Sequence, residues 1–398
     1  MVTLNDIINA QHTIHPYIKR TDVLRINKLS NLTNMNIYLK LENLQSSGSF
    51  KIRGACNKIA KLSSKEIKNG IICASAGNHA QGIAYGANIF NSHATIVMPK
   101  TAPITKVKAT LDLGADVILE GDIFDDCYEL AKKISEQTNK TFIHAFDDDE
   151  VIAGQGTIGL EILEQVEDLD VVIVPIGGGG LISGVAIAIK SIKPDVKIIG
   201  VQASNAPNMK KSFENKKVIV EPIQSSIADG IAVKYPGKKT FDIIQKYVDE
   251  IITVTEDEIA HGILYLLETC RIVSEGSGAT TVAAILSGKV SYPNKNVVAI
   301  ITGGNIDVNL IETVINKGLI ATDRRFEIKT VIYDRPGELQ KLLSIISNLN
   351  GNIFNLEQRR FDKDININQQ QVTLVIGCYG PEHKEQIIAK LKECGYQC

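Results

Sequence analysis

The sequence predicts an α/β protein with largely parallel sheets in two lobes, followed by a small α+β unit. Three observations carry this expectation. Short runs that are apolar throughout alternate with helical patterns from about residue 53, as strands covered by helices on both sheet faces require. The alternation continues past residue 300, too far for one compact core. Near residue 320 the rhythm changes, because 318–325 is short, polar and charged.

The strands of the repeating part are expected at 71–75, 94–98, 117–119, 141–146, 171–176, 196–201, 251–254 and 297–302. Beyond the break, 326–333 reads as a strand. Pro336 and Gly337 open a helix with Leu339, Leu342, Leu343 and Ile346 on one face. Two strands at 353–360 and 372–378 and a helix at 382–394 follow, leaving only 395–398 for a last strand. The expected division is 1–320, with a small lobe at about 52–146 inserted in a larger one; a linker at 321–328; and a second domain at 329–398.

Composition narrows the function. Lys plus Arg number 43 against 45 Asp plus Glu, a net charge of −2 with 5% aromatics, which gives no electrostatic or stacking case for nucleic acid. No run reaches the ~18 apolar residues that span a bilayer, and the first residues lack a basic-then-apolar leader. Seven cysteines (56, 73, 127, 270, 378, 394 and 398), an odd number without C-x-x-C, read as free thiols in a reducing cytoplasm. Cys394 and Cys398 are spaced to share a helix face but make no metal site.

Four glycine-containing clusters fall at strand-to-loop ends, where open α/β sheets place their ligands. In the first, Lys51 follows a Ser/Gly-rich loop and precedes a helix. A desolvated lysine there can form a Schiff base, although an isolated lysine is by default a solvated one. The second, from Ser75 and Ala76 through Gly77, Asn78 and His79 to Gly82, makes a cup of open N–H groups for a carboxylate or phosphate; alone it is equally a helix cap. The third is Gly177, Gly178, Gly179 and Gly180 before Leu181. From Gly177 the sixth position is Ile182 and from Gly178 it is Ser183. The dinucleotide spacing therefore fails, and a single phosphate suits the loop better. The fourth puts the Thr302 hydroxyl at a strand end, able to face a ring nitrogen.

A lysine, an anion cup, a phosphate cup and a hydroxyl are the parts of a pyridoxal phosphate site. On Ser49 to Ala55, Ser75 to Gly82, Gly177 to Leu181, Ala228-Asp229-Gly230 and Gly303-Gly304-Asn305, the chain resembles the fold-type II pyridoxal phosphate enzymes, and among them the threonine ammonia-lyase family. The resemblance spans about residues 5–320.

It implies that Lys51 carries the cofactor as a Schiff base and moves protons at the substrate Cα. Phe50 would flank the ring and Asn78 bond its hydroxyl. Gly177, Gly178, Gly179, Gly180 and Leu181 would hold the phosphate, and Thr302 the ring nitrogen. Ser75, Ala76, Asn78 and His79 would surround the substrate carboxylate. The implied reaction takes L-threonine to 2-oxobutanoate and ammonia, with L-serine as a second substrate. Related racemases carry serine in place of Ala76 and hold a divalent cation with acids where this chain has Gln202 and Asn208, so neither racemisation nor a metal is expected. The last 70 or so residues resemble an ACT regulatory domain on Tyr333 to Leu339 and Gly351 to Ile353. That implies a homodimer or homotetramer, with Asp334, Arg335, Pro336, Gly337 and Asn352 as contacts for an amino-acid effector.

Overall fold

The computed structural model describes residues 1–360 and 365–397. In chain order the strands are β1 (Val23–Arg25), β2 (Asn36–Leu41), β3 (Ile71–Ala74), β4 (Ala94–Met98), β5 (Asp116–Leu119), β6 (Thr141–Phe142), β7 (Val171–Pro175), β8 (Lys197–Ala203), β9 (Glu250–Val254), β10 (Asn296–Ile301), β11 (Arg325–Tyr333), β12 (Asn352–Arg359) and β13 (Gln369–Gly377). The chain divides into two units, Met1–Asp307 and Val308–Cys398.

In the first unit, β1-β2-β10-β7-β8-β9 make one sheet in which only the β1–β2 pairing is antiparallel. A second sheet, β5-β4-β3-β6, is wholly parallel. The chain leaves the large sheet after β2, builds the small one, and returns at β7. Every residue of β3, β4 and β7 is buried, the pattern of strands sandwiched between helices. Val172, Val174 and Ile176 pack with Ile182, Val185 and Ile189 of the helix Gly180–Ile192. Ile71, Cys73, Ile96 and Met98 pack with Ala80, Ile83 and Ala87 of the helix Asn78–Ile89.

Two features of this unit differ from expectation. β1 and β2 lie ahead of residue 53, where no strand was expected. Asn36, Tyr38 and Lys40 give β2 a polar alternation, yet Lys40 is fully buried, donating to Glu161 Oε2 at 2.6 Å and to the Thr21 carbonyl at 2.7 Å. The strand expected at 141–146 stops at Phe142. His144 Nδ1 accepts the N–H groups of Phe146 (3.2 Å) and Asp147 (2.9 Å), turning the chain out of the sheet.

The second unit runs helix Val308–Ala321, β11, helix Glu338–Asn348, β12, β13, helix Pro381–Glu393. Its sheet order is β11-β13-β12, antiparallel throughout. β11 alternates strictly, burying Phe326, Ile328, Thr330 and Ile332 against Leu342, Ile346, Ile387 and Leu391 of the two later helices. The expected linker at 321–328 is a turn instead, closed by Thr322 N–H to Gly318 O (3.1 Å) and Arg324 N–H to Leu319 O (2.9 Å), and β11 begins directly after it. The unit starts at Val308 rather than near residue 320 because the helix Val308–Ala321 groups with the strand it feeds. Among the described residues no strand follows the last helix. Six cysteines are free, and Cys398 lies outside the described residues. No helix of the described residues is long and apolar enough to cross a membrane.

Candidate active site

Lys51 opens the helix Lys51–Ala60, and the loop before it is tied to the end of β10. Phe50 N–H donates to Thr302 O at 3.0 Å, Ser49 pairs with Gly303, and Gly304 N–H donates to Gly48 O at 2.9 Å. Lys51 Nζ donates to the Ala145 carbonyl at 3.0 Å and lies 5.2 Å from the centre of the Phe50 ring. Burial lowers this amine from 10.5 to about 8, with Glu275 opposing the shift. Depressed lysines of this kind are nucleophiles near neutral pH.

Ser75 follows β3, its N–H donating to Val97 O at 3.1 Å and its Oγ accepting from Gly77 N–H at 3.2 Å. Ala76 and Gly77 lead into the helix Asn78–Ile89, so the N–H groups of Asn78, His79 and Ala80 have no carbonyl one turn back. They point where an anion is favoured. The His79 ring is buried, donates Nε2–H to Ile143 O at 3.2 Å, and is pushed to about 3 by burial first and Lys51 second. It is therefore neutral. Gly82 packs on Lys51: a Cβ there would lie 3.1 Å from the lysine's carbonyl carbon.

The glycine loop after β7 is held from outside. Thr240 Oγ1 donates to Gly178 O at 2.6 Å, and Asp147 Oδ1 accepts the N–H groups of Lys239 (3.0 Å) and Thr240 (3.2 Å). A Cβ on Gly178 would lie 2.4 Å from the Phe146 ring, and Gly179 has φ +97°. Gly180, Leu181 and Ile182 open the helix Gly180–Ile192 with N–H groups unpaired within it. Ala145 and Phe146 thus join the lysine to the glycine loop.

Sequence reasoning missed Glu275. It caps the helix Gly276–Leu286, its N–H donates to Gly303 O at 3.0 Å, and Oε1 accepts Asn78 Nδ2–H at 2.7 Å. Burial first and Asp229 second raise its carboxyl from 4.5 to about 7, against Asn78, Lys106 and Lys51. Asn305 Nδ2 donates to Asn78 Oδ1 at 2.7 Å. The signal available was the run Ser274-Glu275-Gly276-Ser277-Gly278, a fifth small-residue cluster with an acid inside it.

These residues fit pyridoxal phosphate. Ser49 Oγ and His79 Nδ1 are buried without a hydrogen-bond partner. The amine beside them is desolvated, and the glycine loop leaves no room for side chains. Lys51, Phe50, Asn78, Thr302 and the cup and loop glycines come together. Thr302 is buried at the end of β10. The residues expected to contact an effector do not all come together. Asn352 pairs with Gly377, at the end of the sheet where β11 starts, whereas Asp334, Arg335, Pro336 and Gly337 follow the other end of β11. Asp334 accepts from Arg360 Nε at 2.9 Å, and Arg335 bonds Glu338 at 3.2 Å.

Residues 14–303 match the sequence profile described as pyridoxal-phosphate dependent enzyme. The chain belongs to that family. Within this pyridoxal-phosphate dependent enzyme family it is 50% identical to the L-threonine ammonia-lyase of Thermotoga maritima, over 100% of this chain and 99% of that protein. The solved processed form of threonine deaminase isoform 2 from Solanum lycopersicum is 38% identical, with TM-score 0.75, over 79% of this chain and 86% of that one. Maize serine racemase is 33% identical, with TM-score 0.76, over 80% of this chain and 98% of that one. The fold is therefore the fold-type II arrangement of this enzyme family, and its cofactor is pyridoxal phosphate.

Proposed function

We propose that this enzyme is a threonine ammonia-lyase, releasing 2-oxobutanoate and ammonia from L-threonine and pyruvate and ammonia from L-serine. The observation that carries the reading is the Lys51 amine, desolvated to about 8 and set between an anion cup and a glycine loop. Bound pyridoxal phosphate withdraws electrons from the substrate Cα, which makes its proton removable and lets the β-hydroxyl leave as water. Lys51 holds the cofactor and, once freed, takes that proton at Nζ. The N–H groups of Asn78 and His79, with Ser75 and Ala76 beside them, hold the substrate carboxylate. Those of Gly177, Gly178, Gly179, Gly180 and Leu181 hold the phosphate, and Phe50 and the Thr302 hydroxyl meet the ring. Ala76 offers no hydroxyl to reprotonate Cα from the opposite face, so elimination rather than racemisation follows.

The C-terminal unit is read as an ACT-like regulatory module for an amino-acid effector. Its β-α-β-β-α order and β11-β13-β12 sheet support this. The enzyme is further read as a cytoplasmic homodimer or homotetramer, consistent with cysteines that are free among the described residues.

The test is 2-oxo acid release from L-threonine and L-serine by the purified protein with pyridoxal phosphate. Lys51→Ala should stay folded, lose turnover, and take up no borohydride-fixed pyridoxyl label. Turnover at the native rate by that variant would overturn the assignment, as would a native protein inert to both amino acids.

A further inference from the structure

We propose that Glu275 is a positioning residue that fixes which end of the Asn78 carboxamide faces the cofactor ring. The inference rests on the reading that Asn78 contacts the cofactor, and on nothing about the substrate. Glu275 is itself held in place. Its backbone N–H is bonded to Gly303 O at 3.0 Å, and a Cβ on Gly303 would lie 2.4 Å from its Oε1, so the carboxyl fills the space the glycine leaves. That oxygen accepts Asn78 Nδ2–H at 2.7 Å. On the other side Asn305 Nδ2 donates to Asn78 Oδ1 at 2.7 Å and is anchored by the Ser47 carbonyl at 3.0 Å.

A carboxamide is symmetrical in shape but not in chemistry. Turned over, Asn78 would set its NH2 against that of Asn305 and its oxygen against the Glu275 carboxyl. The first contact is repulsive whatever the protonation of Glu275 and the second whenever its carboxyl is ionised, and both are buried, where an unmade hydrogen bond is costly. The observed orientation leaves the second hydrogen of Asn78 Nδ2 as a donor. A donor is what the anionic oxygen of a pyridoxal ring requires, and an amide oxygen would repel it. Glu275 thus acts on the ring through Asn78.

The experiment measures cofactor dissociation and the visible absorption band of the holoenzyme, with thermal unfolding alongside. Glu275→Ala should weaken cofactor binding about tenfold, the effect of one lost buried polar contact, and shift the band. Native affinity and a native band in this variant would overturn the proposal. If Glu275→Ala does not fold, the decisive pair is Glu275→Gln and Glu275→Leu, both of which leave Asn78 in place. Gln keeps an oxygen that accepts Asn78 Nδ2–H and should retain the native band and most of the affinity. Leu fills the space without an acceptor and should weaken cofactor binding about tenfold. Equal affinities and equal bands in the two variants would overturn the proposal. Neither measurement uses threonine, so an enzyme inert to threonine that still binds the cofactor would sink the substrate reading while leaving this test intact.

Discussion

Arg53 grips Glu161 through both carboxylate oxygens, Nη1 to Oε1 at 2.6 Å and Nη2 to Oε2 at 2.9 Å. The same guanidinium bonds Glu42 at 2.7 Å through Nε and again at 2.7 Å through Nη2, and Glu161 also takes Lys40. Arg53, Lys40 and Glu42 are all 0% exposed. Arg53 sits in the first turn of the helix that Lys51 opens, so this network anchors the base of the lysine. Removing one partner leaves charge buried and uncompensated, which costs about 3–5 kcal/mol. Arg53→Met should lower unfolding free energy by that amount in denaturant titration. Arg20→Ala breaks the half-exposed pair with Glu164 and should cost under about 1 kcal/mol. Equal losses from the two would contradict the account.

Gly178→Ala separates cofactor binding from folding. The added methyl would lie 2.4 Å from the Phe146 ring, and Phe146 is the neighbour of the carbonyl that holds Lys51. The ring can yield only by moving the lysine's partner or closing on the loop. Cofactor affinity should fall about tenfold or more, since overpacking costs about 1–3 kcal/mol. Far-UV circular dichroism of the apoprotein should stay native. An unchanged dissociation constant would refute the cradle.

The apoprotein should show a pH signature of Glu275. Its carboxyl is raised from 4.5 to about 7, so the folded state binds the proton more tightly than the unfolded chain. The stabilisation is complete below about 4.5 and is lost as pH rises through about 7. Glu275→Gln carries no such proton. Its stability relative to the native apoprotein should therefore rise between pH 4.5 and 7 and then level off, by on the order of 3 kcal/mol. Lys51 works in the opposite direction at higher pH. Its amine is depressed to about 8, so its burial penalty is present below 8 and fades as pH climbs toward 10.5. Parallel stability curves for the two proteins would remove the shifted carboxyl from the argument.

What the sequence disclosed, and what it hid, follows from how each residue spends its polarity. β3, β4 and β7 are apolar on both faces and were legible within a residue or so, as was β11 with its strict alternation; the boundary of the C-terminal unit was not, since Val308–Ala321 reads as one more helix of the repeating part. β2 was hidden by Lys40, because burial of a lysine beside Glu161 depends on a helix more than 100 residues away. The glycine loop stood out because four successive glycines are costly without a ligand, and Lys51 only through the company of the other clusters and the family resemblance they carry. Glu275 did not, since an acid in a Ser/Gly run looks like any helix cap until Asn78 is placed against it. Asn352 and Gly337 read as one contact set because the ACT resemblance assigns effector contacts to both segments. Strand register puts them at opposite ends of the sheet.

The enzyme should need no divalent cation at Gln202 and Asn208. Gln202 donates Nε2–H to the Ile176 carbonyl at 3.3 Å and accepts Lys210 N–H on Oε1 at 2.7 Å. Asn208 donates Nδ2–H groups to the carbonyls of Glu221 and Lys234, both at 2.8 Å. The two amides are fully buried and spend every group but one on backbone partners, Asn208 Oδ1 being left without a hydrogen bond. A hard dication wants several oxygen donors, carboxylates foremost, and among the described residues no group of three or more His, Cys, Asp or Glu side chains could hold a metal. Dialysis against EDTA should leave the rate of 2-oxo acid release unchanged, and added Mg²⁺ should not raise the melting temperature. The double substitution Gln202→Glu with Asn208→Asp tests the logic from the other side. It places two carboxylates where the backbone carbonyls now take N–H donors, so it should lower stability in EDTA and regain part of the loss with Mg²⁺. A native enzyme inactivated by EDTA and rescued by Mg²⁺ would overturn this expectation.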